Sequence, residues 1–201
     1  MTPVDICNIG LIAIGQRHLI QSFDDGGVAA ECAKLTFRAC LDEVLSEAPW
    51  NDAAASAALA PLDGTEYTYQ LPHDLLVLRD VAARWYPWRK EGRTIVTNEA
   101  PPLRITYTRS LWDGRMPGVD IPVSPLLASA AGHRFAAGSA LRITGNPSAQ
   151  QAAWQLYQAT LVKAYALNAM ENSPPQQEVG SWIDPEVPDA WDYRHHRPAL
   201  D

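Results

Sequence analysis

Apolar residues recur at helical spacing in four stretches of this chain and alternate with polar residues in a fifth stretch. The first helical stretch follows Thr2 and Pro3, which suit the cap and the first turn of a helix, and it ends at Gly15. The second predicts a helix from about Val28 to Ser46, with one apolar stripe and a polar opposite face. Pro49 disfavours helical geometry at the residue before it, so this helix is expected to end there.

The pattern changes to a period of two between Tyr67 and Arg109. Tyr67, Tyr69 and Leu71 alternate with polar residues, and so does the stretch LRITYTR at 103–109. LLVLRDVA and RTIVT are aliphatic or β-branched runs, and the intervening PWRKEG and NEAPP are typical of turns. This spacing predicts an antiparallel meander of about four or five short strands.

Two further helices are predicted after this β region. Ser124 and Pro125 again suit a helix start, and the stretch after them is rich in Ala and Gly, so its backbone can approach a neighbouring helix closely. The sequence GNP at 145–147 breaks the pattern, and Ser148 with Gln151 forms a candidate capping box for the last helix. Because the connection is short, the two helices are expected to pack antiparallel.

These elements predict an α+β fold in three parts. About four helices, two N-terminal and two C-terminal, form a bundle from residues 1–60 and 120–172, and an antiparallel β-meander or sandwich is inserted at 61–119. Residues 173–201 carry five prolines and no sustained periodicity, yet they hold aromatic and aliphatic anchors. We therefore expect an extended C-terminal arm that becomes ordered against a partner. Its candidate binding residues are Ser181, Trp182, Ile183, Trp191 and Tyr193.

Composition narrows the possible functions. The chain has 201 residues, and its 16 basic and 23 acidic side chains give a formal charge of −7, which argues against a broad basic surface that wraps DNA. No apolar run approaches the roughly 18 to 20 residues of a membrane span, and no basic segment precedes the first apolar residues, so we expect neither a membrane-spanning nor a secreted protein. The cysteines lack CxxC or Cys/His spacing, which favours buried thiols over a disulfide framework or a zinc site. These cysteines are Cys7, Cys32 and Cys40.

Sequence signatures of catalysis are weak. The chain has no GxGxxG, GxxxxGK[ST], HExxH or GxSxG sequence. Asp24 and Asp25 are better explained as a cap for the second helix than as a catalytic carboxylate pair. The His195-His196 pair lies near two aspartates, but adjacent side chains on an extended chain point apart, which disfavours a metal site. We therefore expect neither enzymatic activity nor a bound metal or cofactor.

The β region also contains a cluster of basic and aromatic side chains. Such a mixture can pair with phosphates and stack on bases, which leaves a DNA-binding module open as an alternative. The competing explanation is that the basic residues lie on solvated strand faces and the aromatic residues fill a sheet surface or a subunit contact, which the acidic total favours. The cluster comprises Arg79, Arg84, Arg89, Lys90, Arg93, Arg104 and Arg109 with Trp85, Tyr86 and Trp88.

Four segments of the chain, taken in order, carry a resemblance to a known family. They are ICNIGLIAIGQRHLIQSFDD, RACLDEVLSEAPWN, the pair YTYQLPHDLLVLRDV and YPWRKEGRTIVTNEAPPLRITYTR, and the Ala-rich stretch LLASAAGHRFAAGSALRITGNPSAQQAAWQLYQATLVKAYALNAMENSPP. Together they span nearly all of residues 5–175 and are similar to the tail tubular protein A family of tailed bacteriophages, the head-to-tail adaptors of short-tailed phages. The chain departs from the family's pattern at Leu41, where the family often has Arg, and at Asp52, where it often has an aromatic residue.

The resemblance implies a structural virion protein, assembled in the host bacterial cytoplasm and located in the neck and tail of the virion. Such adaptors form a ring of about twelve copies below the portal of a filled capsid, closed by a repeated heterologous contact. The helical part would build the ring, the β part would face the tail nozzle or next tail component, and the C-terminal arm would reach into the portal protein. Genomic DNA would pass through the lumen without sequence-specific binding, because an acidic protein holds DNA weakly. One rival is a tail-associated cell-wall hydrolase that uses Glu43, Glu47 or Glu66 as its acid.

Trp50 directly follows Pro49, at a position where a chain usually turns polar and meets solvent. A wide amphipathic ring placed there can fold back over the apolar seam between two helices. By burying itself, the ring would fix the angle between the helical part and the β part. We therefore predict that Trp50 is the domain junction.

Overall fold

The computed structural model describes residues 1–62, 67–83, 85–112 and 119–171, and it has the α+β fold that the sequence predicts. The described residues contain four α-helices, one short 3-10 helix (Asn51–Ala53) and six strands. The helices are α1 (Pro3–Ala13), α2 (Val28–Glu47), α3 (Pro125–Thr144) and α4 (Pro147–Met170). The strands are β1 (Ala54–Leu59), β2 (Thr68–Gln70), β3 (Leu75–Val81), β4 (Trp88–Glu91), β5 (Thr94–Thr97) and β6 (Leu103–Arg109). The predicted arm at 173–201 lies outside the described residues.

Most helix ends follow the local signals in the sequence. Thr2 Oγ1 accepts the backbone N–H of Asp5 at 3.1 Å, and the Asp5 carboxylate accepts the backbone N–H of Thr2 at 3.0 Å, which completes a capping box at the start of α1. Helix α2 ends where Ala48 turns extended, directly before the proline. Helix α3 ends at Gly145, whose φ of 67° is the left-handed conformation that glycine adopts without a steric penalty.

Two predicted helix caps are wrong. Helix α2 starts after Gly27 without a side-chain cap, because Asp25 instead accepts two backbone N–H groups of the preceding turn at 2.6 and 3.0 Å. Asp24 pairs with Lys34 at 2.7 Å. The cap of α4 is Asn146, which accepts the backbone N–H of Ser148 at 2.9 Å, so the predicted capping box with Gln151 does not form. Only at α4 does a different side chain, that of Asn146, take over the cap.

The strands form two antiparallel three-stranded sheets, with the orders β1-β6-β3 and β2-β5-β4. Five strands lie between residues 67 and 109, as predicted, but only β4 and β5 pair with their immediate neighbour in the chain, so the strand order is not that of a simple meander. Strand β4 occupies part of the predicted PWRKEG turn, and the turn itself is confined to Gly92 and Arg93. Strand β1 lies in residues 1–60, which the sequence assigned to the helical part. Its six residues are Ala, Ser and a single Leu, so no apolar alternation reveals it.

The buried side chains form one large helical cluster and one sheet cluster. Helix α3 is the centre of the helical cluster, because α1, α2 and α4 all pack against it. Trp50, Phe37 and Phe135 are among its largest fully buried members. The sheet cluster is built around Tyr69 and Ile95, together with the inward face of β6.

Candidate functional site: the helix–sheet junction and the exposed surfaces

Trp50 closes the gap between the end of α2 and the C-terminal part of α4. The side chain is only 2% exposed, and its Nε1 donates a hydrogen bond to the carbonyl oxygen of Val44 at 2.7 Å. The indole stacks on the ring of Tyr165, with 5.0 Å between centroids and 8° between planes. The ring therefore folds back onto two helices, while its backbone leads directly into the 3-10 helix and β1. Its role as the domain junction remains a prediction.

A pair of asparagines ties the segment after α2 to the end of α4. The backbone N–H of Asn51 donates to Oδ1 of Asn168 at 2.8 Å, and Nδ2 of Asn51 donates to the carbonyl oxygen of Asn168 at 3.2 Å. Nδ2 of Asn168 in turn donates to the carbonyl oxygen of Pro49 at 3.2 Å. Nδ2 of Asn51 also reaches the carboxylate of Glu171 at 3.2 Å. These bonds fix the start of β1 relative to the last turn of α4.

Arg79 of β3 joins the first sheet to the C-terminal end of α2. Its Nη2 donates to the carbonyl oxygens of Ser46 at 3.1 Å and Ala48 at 2.7 Å, and its Nε donates to Oγ1 of Thr108 at 2.8 Å. A helix C-terminus leaves carbonyl groups without intrahelical partners and carries partial negative charge, so a guanidinium group stabilises it. Arg79 is thus committed to the junction rather than to the predicted basic cluster.

Glu47, in the last turn of α2, is held by two tyrosines of α4. Its carboxylate accepts the hydroxyl of Tyr157 at 2.6 Å and the hydroxyl of Tyr165 at 3.0 Å. Burial raises the pKa of Tyr165 to about 12, and the hydrogen bond to the negative carboxylate is the second cause of this shift. The same two causes raise the pKa of Tyr157. Both hydroxyls therefore remain protonated donors far into the alkaline range.

The candidate hydrolase carboxylates serve contacts between helices in the described residues. Glu43 forms an ion pair with Nη2 of Arg134 at 2.6 Å, and the guanidinium of Arg134 lies 4.8 Å from the centroid of the Trp154 ring. Glu47 is the acceptor of the two tyrosines just described. Glu66 lies outside the described residues.

The three cysteines and His133 lie on helices α1, α2 and α3. Cys7, Cys32 and Cys40 are free and buried, and burial raises the pKa of each thiol. Nδ1 of His133 lies 3.0 Å from Oγ1 of Thr160, and burial lowers the pKa of this imidazole. In the part of the chain that the structure describes, no three His, Cys, Asp or Glu side chains are grouped to hold a metal ion. The His195-His196 pair lies outside that part.

The aromatic residues of the predicted basic cluster form an exposed patch beside edge strand β4. Trp85 is 80% exposed, and Tyr86 and Trp88 are about half exposed. Arg89 pairs with Glu91 on the same strand. Arg84 lies outside the described residues. Exposed aromatic side chains in one place are typical of a surface that binds another molecule.

Helix α4 presents a second exposed apolar surface. Lys163 is the only charged residue in its 24 residues. Its outward face includes Val162, which is 66% exposed, and the exposed side chain of Met170. A helix face of this length with a single charge is unusual for a helix surrounded only by water.

The predicted arm residues Ser181, Trp182, Ile183, Trp191 and Tyr193 lie outside the described residues. Within the described ranges, no helix is both long and apolar enough to cross a bilayer. Comparison with models of known protein families gives no match, and a search of curated proteins finds no significant match either. The function is therefore argued from the sequence resemblance and from the geometry of the junction and the exposed surfaces.

Proposed function

We propose that this chain is a structural virion protein, the head-to-tail adaptor of a short-tailed phage. In this proposal about twelve copies form a ring between the portal and the tail nozzle. The ring surrounds the channel through which genomic DNA leaves the capsid. The acidic chain, with its formal charge of −7, would hold the DNA weakly and let it slide.

The observation that carries this proposal is the position of the Pro-Trp-Asn sequence. This sequence is one of the motifs on which the family resemblance depends, and it forms the joint between α2, α4 and β1. Trp50 supplies the buried ring of the joint, and Asn51 supplies the hydrogen bonds to α4. A motif that fixes the angle between the helical cluster and the sheets suits a subunit whose geometry must repeat identically around a ring.

Two exposed surfaces support a role in assembly. The outer face of α4, which carries a single charge, is suited to contact a neighbouring copy, because apolar area removed from water stabilises association. The aromatic patch beside β4 is suited to contact the next tail component, because Trp and Tyr are enriched where interfaces are strongest. The two surfaces belong to different elements, as a subunit with several neighbours requires.

The direct test is to mix the purified chain with its portal protein and to look for rings by electron microscopy. We expect rings with the full chain and loss of portal binding when residues 173–201 are deleted. If the full chain formed no ring with the portal, the adaptor proposal would be wrong. If the truncated chain bound the portal as well as the full chain, only the role of the arm would be wrong. A zymogram with purified protein addresses the hydrolase rival, for which we expect no clearing.

A DNA-binding module is the second candidate, and the aromatic patch is the observation that favours it. Trp85 and Trp88 could stack on bases of single-stranded DNA, with Lys90 close by. A gel-shift experiment at physiological ionic strength separates the two candidates. A shift that falls steeply with salt and disappears in Trp88→Ala would support DNA binding, whereas the adaptor proposal predicts no stable shift.

A further inference from the structure

A polar cavity of about 460 Å³ opens where the helical cluster meets both sheets. We name it the junction pocket, and it is formed by α2, the start of β3, the β4–β5 turn and the segment after β6. Its basic side chains are Arg38, His73 and Arg93, and its apolar wall consists of Leu75, Leu76 and Trp112. Three chain segments distant in sequence thus bring basic groups to one cavity, whose volume lies within the range of small-molecule sites.

The acidic groups of the junction pocket are already engaged by neighbouring residues. Oδ1 of Asp42 accepts the hydroxyl of Ser110 at 2.8 Å, and its Oδ2 lies 3.5 Å from Nε of Arg38. Oδ1 of Asp74 accepts the hydroxyl of Tyr107 at 3.2 Å. This contact engages Nε of Arg38, whose side chain is 60% exposed. A ligand therefore meets guanidinium donors without displacing a buried ion pair.

Arg93 also has donors to spare. Within the described residues its side chain makes a single hydrogen bond, from Nη2 to the carbonyl oxygen of Pro72. A guanidinium group carries five N–H donors, so four remain. Arg93 is exposed at the turn between β4 and β5, where its side chain lines the pocket.

Trp112, in the wall of the junction pocket, carries a buried donor without a partner. Its Nε1 is buried and has no hydrogen-bond partner in the described residues. The ring is held in place by edge contacts with Phe37 at 5.3 Å and Phe23 at 6.1 Å between centroids. A buried donor without an acceptor is costly, and such groups commonly mark a missing water or ligand.

We propose that the junction pocket binds a carboxylate-bearing ligand, with the carboxylate between Arg38 and Arg93 and the apolar remainder against Leu75 and Leu76. Arginine favours planar, two-pronged contacts with carboxylates. A singly charged carboxylate fits better than a doubly charged phosphate, because Asp42 and Asp74 stand nearby and would repel the second charge. The carboxylate can belong to a free organic acid or to an acidic side chain of a neighbouring protein. This inference does not depend on the adaptor proposal.

The experiment titrates the full chain with three probes: hexanoate, the blocked peptide acetyl-Leu-Asp-Leu-amide, and inorganic phosphate. Binding is followed through the indole N–H resonance of Trp112 in a proton–nitrogen correlation spectrum. This resonance is assigned by its absence from the spectrum of Trp112→Phe. We expect saturable shifts of this resonance with hexanoate or the peptide. Arg38→Gln and Arg93→Gln should each weaken binding roughly tenfold, because each removes a charge-assisted hydrogen bond.

Arg89→Gln is the matched control, because this arginine lies on the neighbouring strand outside the pocket and pairs with Glu91. The affinity of Arg89→Gln for the probes should match that of the parent chain.

Preference for hexanoate identifies a free acid as the source of the carboxylate, and preference for the peptide identifies a protein side chain. The proposal is overturned if only phosphate binds, if no probe saturates, or if Arg89→Gln weakens binding as much as Arg38→Gln does. Since Arg38 is largely exposed, the melting temperature of its variant should remain that of the parent, which separates lost binding from lost folding.

Discussion

Gly10 of α1 and Gly132 of α3 face each other at backbone contact distance. A Cβ atom on Gly10 would lie 2.2 Å from the carbonyl oxygen of Gly132, and a Cβ atom on Gly132 would lie 2.5 Å from the carbonyl oxygen of Ile6. Both obstacles are backbone atoms, so no side chain can rotate aside. The absence of side chains at these two positions therefore sets the distance between α1 and α3, and with it the packing of the helical cluster.

Gly10→Ala is expected to destabilise the chain by about 2 kcal/mol or more, because the added methyl group forces the two helices apart. The measurement is a urea unfolding curve, in which the midpoint should fall. Gly138→Ala on α3 is the control, since its Cβ would meet only the end of the Arg134 side chain, at 3.2 Å. That variant gains helix propensity and should stay within about 1 kcal/mol of the parent. Equal losses in both variants would contradict the close crossing.

Arg79→Gln tests the link between β3 and α2. The variant loses the hydrogen bonds to the carbonyl oxygens of Ser46 and Ala48 and the positive charge at the helix end. We expect a loss of roughly 1 to 2 kcal/mol in the free energy of unfolding. Arg89→Gln should change stability by less than about 0.5 kcal/mol, because it breaks only an exposed ion pair. If the two variants unfolded at the same urea concentration, Arg79 would not be a structural link.

The helices could be predicted from the sequence because their signals are local. Thr2 and Gly145 act on residues within four positions, and the apolar stripe of α2 recurs within the helix itself. Strand β1 could not be predicted, because Ala and Ser give no alternation and its pairing with β6 depends on residues about 50 positions away. Strand β4 was missed for a related reason: all four of its side chains are exposed, so its pattern resembles a turn.

The junction could be predicted only in part. A buried Trp50 is suggested by a large ring after a helix-ending proline, and that signal is local. The pairing of Asn51 with Asn168 has no local signal, since 117 positions separate the two residues and asparagine is common in loops. The contacts of Arg79 have no local signal either, since Ser46 and Ala48 precede it by 33 and 31 positions. Its basic neighbours in the sequence favour a solvated strand face instead and leave a binding surface as the alternative.

The tyrosines around Glu47 predict a loss of stability in alkali. The pKa of Tyr165 is raised from an ordinary value of 10.0 to about 12, so the folded chain keeps this proton where the unfolded chain loses it. Its contribution is therefore fully present below pH 10 and is lost as the pH rises toward 12. Tyr165→Phe should show a smaller drop in the urea midpoint between about pH 9 and pH 11 than the parent chain does. An identical drop in both chains would argue against this coupling.

Val162→Glu tests the outer face of α4, on which Lys163 is the only charged residue. The side chain is 66% exposed, so the charge should leave the melting temperature nearly unchanged. In a ring, however, it would place a carboxylate in an apolar contact, and ring formation should be lost. Leu35→Glu on α2 is the matched control, because Leu35 is also exposed, at 71%, but lies on a helix face rich in charge. Electron microscopy with the portal should show rings for Leu35→Glu and none for Val162→Glu.

Trp50→Ala joins the local packing to the proposed assembly. The change removes a fully buried indole from between α2 and α4, together with its hydrogen bond to Val44 and its stacking on Tyr165, and should cost about 3 to 5 kcal/mol. Trp50→Phe keeps an aromatic ring but leaves the Val44 carbonyl without this donor, so a loss of about 1 to 2 kcal/mol is expected. Trp85→Ala, at an exposed position, should leave stability unchanged. If Trp50 sets the angle between the helical cluster and the sheets, as we propose, Trp50→Phe should still form rings, whereas Trp50→Ala should fail at temperatures where its helices remain folded by circular dichroism. Rings of normal appearance from Trp50→Ala would show that assembly does not depend on this joint.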